Sequence, residues 1–149
     1  MKRMDRKKLR LNGFDYSTNG AYFVTLCTIN RKCILSSIRK SGNYSYPEVK
    51  LTDIGLIVKK YMNNIPGITN YVIMPNHIHL IVEKENILNS VLSNDIRSFK
   101  KLVTKEVGFQ IWQSGFYDHI IRNYYDYNVH LQYINDNPIK WCEDKYYCG

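Results

Sequence analysis

The chain has 149 residues, 44% of them apolar, with a formal net charge of +8 and a pI near 9.3. That length suits one ordinary domain able to bury a proper core. No apolar run approaches the ~20 residues of a membrane helix, and no apolar stretch follows the basic N-terminus as it would in a secretory signal. The expectation is a cytoplasmic, single-domain chain over 1–149 with a basic N-terminal arm at about 1–10. Cys27, Cys33, Cys142 and Cys148 match no Cys-x-x-Cys pattern and read as free thiols rather than a zinc site. The positive charge favours a polyanionic partner, nucleic acid first and an anionic membrane surface second. The 13 tyrosines suit stacking on unpaired bases, although most are expected to be ordinary packing residues.

The arm holds Lys2, Arg3, Arg6, Lys7, Lys8 and Arg10 against a lone acid, Asp5, and is a candidate for phosphate contact. Turn signals follow at Asn12-Gly13 and Asn19-Gly20. Residues 22–29 are predicted as a strand. Residues 33–39 and 48–51 are predicted as a hairpin around Ser41-Gly42-Asn43. Thr52 reads as the N-cap of a helix with Ile54, Ile57, Val58, Tyr61 and Met62 at helical spacing, closed by Pro66-Gly67. Residues 70–74 and 77–83 form either two strands or one long strand interrupted at Pro75, which cannot donate a ladder hydrogen bond. A second helix is predicted over 86–107 with Asn86 as N-cap, Ile87, Leu88, Val91, Leu92, Ile96, Phe99 and Leu102 as its apolar stripe, and Arg97, Lys100, Lys101 and Lys105 on its polar side. A strand within 111–122, a helix over 124–137 and a short helical stretch from Pro138 to Trp141 complete the chain. The order reads as a ferredoxin-like β-α-β-β-α-β pattern: an α+β fold with an antiparallel sheet, helices on one face, and a helix added at the C-terminus.

Candidate chemistry begins at Met74-Pro75-Asn76-His77-Ile78-His79-Leu80. Side chains two apart on a strand share a face, so His77 and His79 point together while Ile78 and Leu80 face the core. Two adjacent imidazoles are half of a divalent-metal site. Alone, the pair fits better as two satisfied histidines on a partly buried strand. Tyr133 and Asn137, four apart on the last helix, share one face, and His130 lies on it too. Two imidazoles, an amide oxygen and a phenol make a neutral set with open positions. It would suit Mg²⁺ or Mn²⁺ shared with a phosphate oxygen, with the phenol as nucleophile. On this reading His77 and His79 are each needed for cleavage, and replacing either changes stability little. For Asn137 an alternative stays open: Asn is a preferred N-cap and Pro a preferred first helical residue, so Asn137-Pro138 also reads as the start of the next helix.

Pro75-Asn76-His77-Ile78-His79, then residues 116–122 (Phe-Tyr-Asp-His-Ile-Ile-Arg), then Tyr133-Ile134-x-x-Asn137-Pro138-x-Lys140, together resemble the single-tyrosine transposases of the HUH endonuclease superfamily, and within it the REP-associated tyrosine transposases. Gly13-Phe14-Asp15-Tyr16 and Gly20-x-Tyr22-Phe23-Val24-Thr25 are similar to the same branch, so the resemblance spans roughly residues 9 to 141. It implies a catalytic tyrosine at Tyr133 and a metal held by His77, His79 and Asn137. The third ligand is usually Gln in insertion-sequence members; here it is Asn, as in the REP-associated branch. The implied activity is metal-dependent cleavage and rejoining of single-stranded DNA that carries hairpins, through a 5′-phosphotyrosine and a free 3′ hydroxyl. The expected protein is a monomer or homodimer with no membrane partner. Its DNA contacts would come from Arg3, Arg6, Lys7, Lys8, Arg10, Lys100, Lys101 and Arg122. The rival reading is a non-catalytic nucleic-acid-binding module using the same basic surface.

Overall fold

The computed structural model describes residues 20–40, 46–84, 91–143 and 147. The basic arm with Arg3, Arg6, Lys7, Lys8 and Arg10, the motif at 13–16, the turn at 41–43 and the expected cap at Asn86 lie outside the described residues. The elements run β1 (Gly20–Cys27), β2 (Ser36–Arg39), β3 (Glu48–Leu51), α1 (Asp53–Met62), β4 (Ile68–Ile73), β5 (His77–Lys84), α2 (Leu92–Val107), β6 (Tyr117–Ile121) and α3 (Tyr124–Asp136).

Strands β4, β5, β1 and β6 form a four-stranded sheet in that order, every neighbouring pair antiparallel. With the β2–β3 hairpin set aside, this is the expected ferredoxin-like arrangement; the hairpin is an insertion between β1 and α1. Helices α1 and α2 cover one face, over a core that includes Val24, Leu26, Ile78, Leu80, Val82, Phe99 and Val103. Helix α3 covers the opposite face, where Ala21, Phe23, Ile81, Ile121 and Ile134 pack together. Strand β5 is therefore sandwiched, and it is buried at every position but Glu83. That explains its apolar residues Ile78, Leu80, Ile81 and Val82, among which the two histidines are set before Glu83 and Lys84 end the strand.

Local chemistry sets the boundaries. Thr52 caps α1 by accepting the Gly55 N–H at 3.0 Å, and Gly108, at φ 96°, closes α2 in the left-handed region with its N–H on the Thr104 carbonyl. Pro75 sits in a turn between two strands, so 70–83 is a β-hairpin rather than one interrupted strand. Helix α2 starts later than its sequence period suggests. Val91 is extended (φ −108°, ψ 128°) and exposed, whereas Leu92, Ile96, Phe99 and Val103 follow the 4-3-4 spacing that faces the sheet. Strand β1 also ends early. Thr28 makes one isolated bridge to Trp112, and a 3-10 turn at Ile29–Arg31 follows, with Asn30 and Arg31 at positive φ. After α3 the chain enters a turn and a short 3-10 segment at Trp141–Glu143. Cys27 and Cys142 are thiols as expected, but Cys33 is disulfide-bonded. Among the described residues no helix is long and apolar enough to cross a membrane.

Candidate active site

The alternation of β5 sends Ile78 and Leu80 into the core beneath α1 and α2, and His77 and His79 toward α3. Both histidines are buried, at 0% and 2% exposure. Their ring centroids are 4.6 Å apart at 69°. Neighbours orient each ring. The side-chain N–H of Asn76 donates to the Arg31 carbonyl at 3.3 Å, which leaves its Oδ1 as the acceptor 2.9 Å from His77 Nδ1. His77 Nδ1 is then the protonated nitrogen, and the lone pair of the neutral ring lies on Nε2. That nitrogen faces Asn137 Oδ1 at 3.3 Å. The two atoms are close enough to serve as ligands of one cation. Thr25 Oγ1 stands 2.8 Å from His79 Nδ1, directly across the β1–β5 register. When Thr25 accepts that proton, Nε2 of His79 is also left basic. A ring N–H held by an outer partner while the other nitrogen binds is the usual support for a metal-ligating histidine, so the donor set fits a divalent ion.

Helix α3 brings Tyr133 to this pair. The Tyr133 ring is 5.1 Å from His79 and 6.0 Å from Phe23, and the residue is 39% exposed, so it lies between the buried imidazoles and solvent. Asn137, one turn further, is buried and helical (φ −55°, ψ −45°). An N-cap is extended, so Asn137 ends α3 and does not start a new helix. His130 shares the Tyr133 face but does not join the pair: its ring stacks on His119 at 4.5 Å and leans on Phe23 at 4.6 Å. The other tyrosines of α3 are elsewhere. Tyr127 accepts a hydrogen bond from Asn70 at 3.2 Å and burial pushes its phenol up, while Tyr124 and Tyr125 are 49% and 78% exposed.

The sequence did not single out Thr25, Phe23 or Trp141 for this site. Thr25 is tied to His79 only by strand register, and Trp141, 6.1 Å from His77, only by the turn after α3. Asn76 had a visible signal, since it directly precedes the first histidine in a turn.

The expected DNA contacts divide. Lys101 and Arg122 are exposed. Lys100 is half-buried and donates to the carbonyls of Gln113 (3.0 Å) and Gly115, and its burial pushes its ammonium down. Its first role is to pin the 113–115 loop to α2. Beside it, on the α2 side of the sheet, lies a groove of about 1210 Å³ lined by Arg31, Arg97, Lys100, Lys101, Lys105 and Trp112, among others. Among the described residues, Trp112 Nε1 is buried with no hydrogen-bond partner.

Fold and site together define a class: a ferredoxin-like sheet whose central strand presents a histidine pair to a tyrosine-bearing helix on the face opposite its other helices. No family model matches the chain. A solved structure of a REP-associated tyrosine transposase bound to a REP hairpin superimposes with a TM-score of 0.59 at 30% identity, over 81% of this chain and 67% of that one. The chain belongs to the REP-associated tyrosine transposases. An Escherichia coli member is 38% identical over 49% of this chain and 44% of its own, and a putative member from Haemophilus influenzae is 29% identical over 85% and 74%. A second H. influenzae protein, uncharacterized, is 32% identical over 95% of this chain and 93% of its own.

Proposed function

We propose that the chain is a divalent-metal-dependent transposase that cuts and rejoins single-stranded DNA beside hairpins, with Tyr133 as nucleophile. The observation that carries this is the meeting of Tyr133 with His79 while Asn137, one turn on, faces His77 Nε2. His77, His79 and Asn137 would hold Mg²⁺ or Mn²⁺, which when bound draws negative charge from the scissile phosphate. Asn76 and Thr25 keep the basic nitrogens of the imidazoles turned inward. A phenol, with a pKa of roughly 10, is a weak nucleophile at neutral pH, so its placement matters. Tyr133 rides on a helix packed against the sheet, a rigid support that would hold its oxygen in line for attack. The phenolic oxygen bonds to phosphorus and gives up its proton. The phosphorus–O3′ bond breaks, and the 3′ oxygen departs as a hydroxyl once protonated. The 5′ phosphate stays on Tyr133 until a 3′ hydroxyl attacks it and reverses the step, so no external energy source is required. The polarity follows the resemblance to the HUH superfamily. The hairpin substrate is the one named for the solved relative. The cationic groove beside α2 and the basic arm supply phosphate contacts for such a substrate.

The test is incubation with a pool of single-stranded hairpin DNA and Mn²⁺. The expected result is a covalent adduct that chelator prevents and that Tyr133→Phe cannot form, although the variant still binds DNA. Peptide mapping that places the adduct on Tyr124, Tyr125 or Tyr127 would displace Tyr133. No adduct with any hairpin, alongside intact binding, would leave the non-catalytic module as the better reading.

A further inference from the structure

Helix α3 carries a second donor pair one heptad before the first. Asp126 and His130 precede Tyr133 and Asn137 by seven residues each, so they occupy the same helix face about 10 Å back along the axis. There they meet His119 of the edge strand β6. His119 Nε2 lies 2.9 and 3.2 Å from the two carboxylate oxygens of Asp126. His130 Nδ1 lies 3.2 Å from Asp126 Oδ1 and 2.8 Å from the Asp126 carbonyl oxygen. The two imidazoles stack at 4.5 Å and 24°. Asp126 is held from behind by the Arg122 backbone N–H at 3.0 Å, and its own N–H is capped by Asn123 Oδ1 at 2.8 Å. One ligand atom from each of the three residues lies within 4.8 Å of the others.

We infer that His119, Asp126 and His130 form a second divalent-cation site, separate from the one proposed at His77 and His79. Two imidazole nitrogens and one carboxylate oxygen form a donor set suited to a borderline transition ion such as Zn²⁺ or Co²⁺ rather than Mg²⁺ or Ca²⁺. Each imidazole nitrogen lies about 3 Å from a carboxylate oxygen of Asp126, the separation of neighbouring ligands that share one ion at bonds of roughly 2 Å, and the three ligand atoms all lie within 4.8 Å of one another. The residues are drawn from two elements and already lie together, and an ion binds by displacing the protons through which His119 Nε2 and His130 Nδ1 now contact Asp126. His119 is 45% exposed, which leaves the outer side of the group open to water or a phosphate oxygen. Phe23 separates the two sites: its ring leans on His130 at 4.6 Å on one side and stacks on His79 at 5.0 Å on the other. An ion here would tie β6 to the first turn of α3, the helix on which Tyr133 sits.

The test is a Co²⁺ titration of the full chain, read by d–d absorption, for wild type, His119→Ala, Asp126→Asn and His77→Ala. His119 is half-exposed, so its removal leaves the fold intact, and Asp126→Asn is an isosteric second arm. The expected result is two tightly bound ions in wild type and one fewer in both His119→Ala and Asp126→Asn. If the His77–His79 site does not bind, wild type holds one ion, which His77→Ala keeps and His119→Ala loses; the inference survives and the first site fails. An unchanged ion count in His119→Ala and Asp126→Asn means that the cluster is a hydrogen-bond network only, which overturns the inference. A wild type that binds no Co²⁺ overturns it too.

Discussion

Proline disfavours helical backbone in the residue before it, yet Asn137 is helical at φ −55° and ψ −45° directly ahead of Pro138. Its backbone N–H stays on the Ile134 carbonyl, and because α3 continues through it Asn137 lies one turn beyond Tyr133 with its Oδ1 3.3 Å from His77 Nε2. Asn137→Ala should therefore raise the metal concentration needed for adduct formation. A fall in melting temperature with an unchanged metal requirement would instead assign the residue to folding, so a metal titration beside a melting curve decides between them. The histidines need a revised expectation. On an open face their removal would change stability little, but His77 is fully buried and hydrogen-bonded to Asn76. His77→Ala empties that space and takes away a partner of Asn76 Oδ1. It should abolish cleavage and also lower stability by about 1–3 kcal/mol, as read by denaturant melts. Equal stability with full activity would remove His77 from the site.

Elements were legible where one period dominated. Helix α1 follows from Thr52 and its apolar spacing, and the pairing of His77 with His79 follows from strand alternation alone. What faces that pair was not legible, because it depends on register and layer. Sequence order does not say that Thr25 lies across from His79, or that α3 crosses the face opposite α1 and α2. Nor does a hydrophobic period locate the start of α2, since Val91 fits the stripe by composition yet lies a turn position off it. The β2–β3 hairpin is the least conspicuous element in the sequence and has a definite place in the structure. The Leu35 N–H bonds the Pro75 carbonyl at 2.9 Å and Ser36 Oγ donates to the Ile73 carbonyl at 3.1 Å, so the start of β2 braces the turn that leads into His77. Helix α1 presses on the same segment. A Cβ on Gly55 would stand 2.0 Å from the Leu35 carbonyl oxygen, a backbone atom that cannot swing aside. Gly55→Ala should destabilise the protein by about 1–3 kcal/mol through this overlap, against the helix-favouring effect that the same change has on an open surface. A raised melting temperature would show that α1 and the hairpin can move apart at little cost.

At the scale of the whole molecule the sheet separates two surfaces. The α3 face carries the buried histidine pair and Tyr133; the α1–α2 side carries the cationic groove with Arg31, Arg97, Lys101 and Lys105 along one wall or another. A chain of net charge +8 attracts any nucleic acid, so charge alone does not select a substrate. Selection needs phosphates and unpaired bases to be met together. Base stacking contributes only where bases are free to leave the duplex, and Tyr117 on β6 and Tyr124 and Tyr125 at the start of α3 are exposed for it. A hairpin with a single-stranded flank offers both features, whereas a blunt duplex of equal length offers phosphates only. The hairpin should therefore bind more tightly at equal salt. Arg97 and Lys101 are exposed on the polar side of α2 and belong to neither core. Reversing them, as Arg97→Glu with Lys101→Glu, should leave melting unchanged and weaken hairpin binding. The slope of log K against log salt should flatten by roughly 1 for each phosphate that is no longer neutralised. Binding isotherms for hairpin and blunt duplex at several salt concentrations measure both effects. Unchanged affinity and slope would move the stem away from this groove and leave the phosphate contacts to the basic arm; equal affinity for the blunt duplex would remove the case for a hairpin substrate.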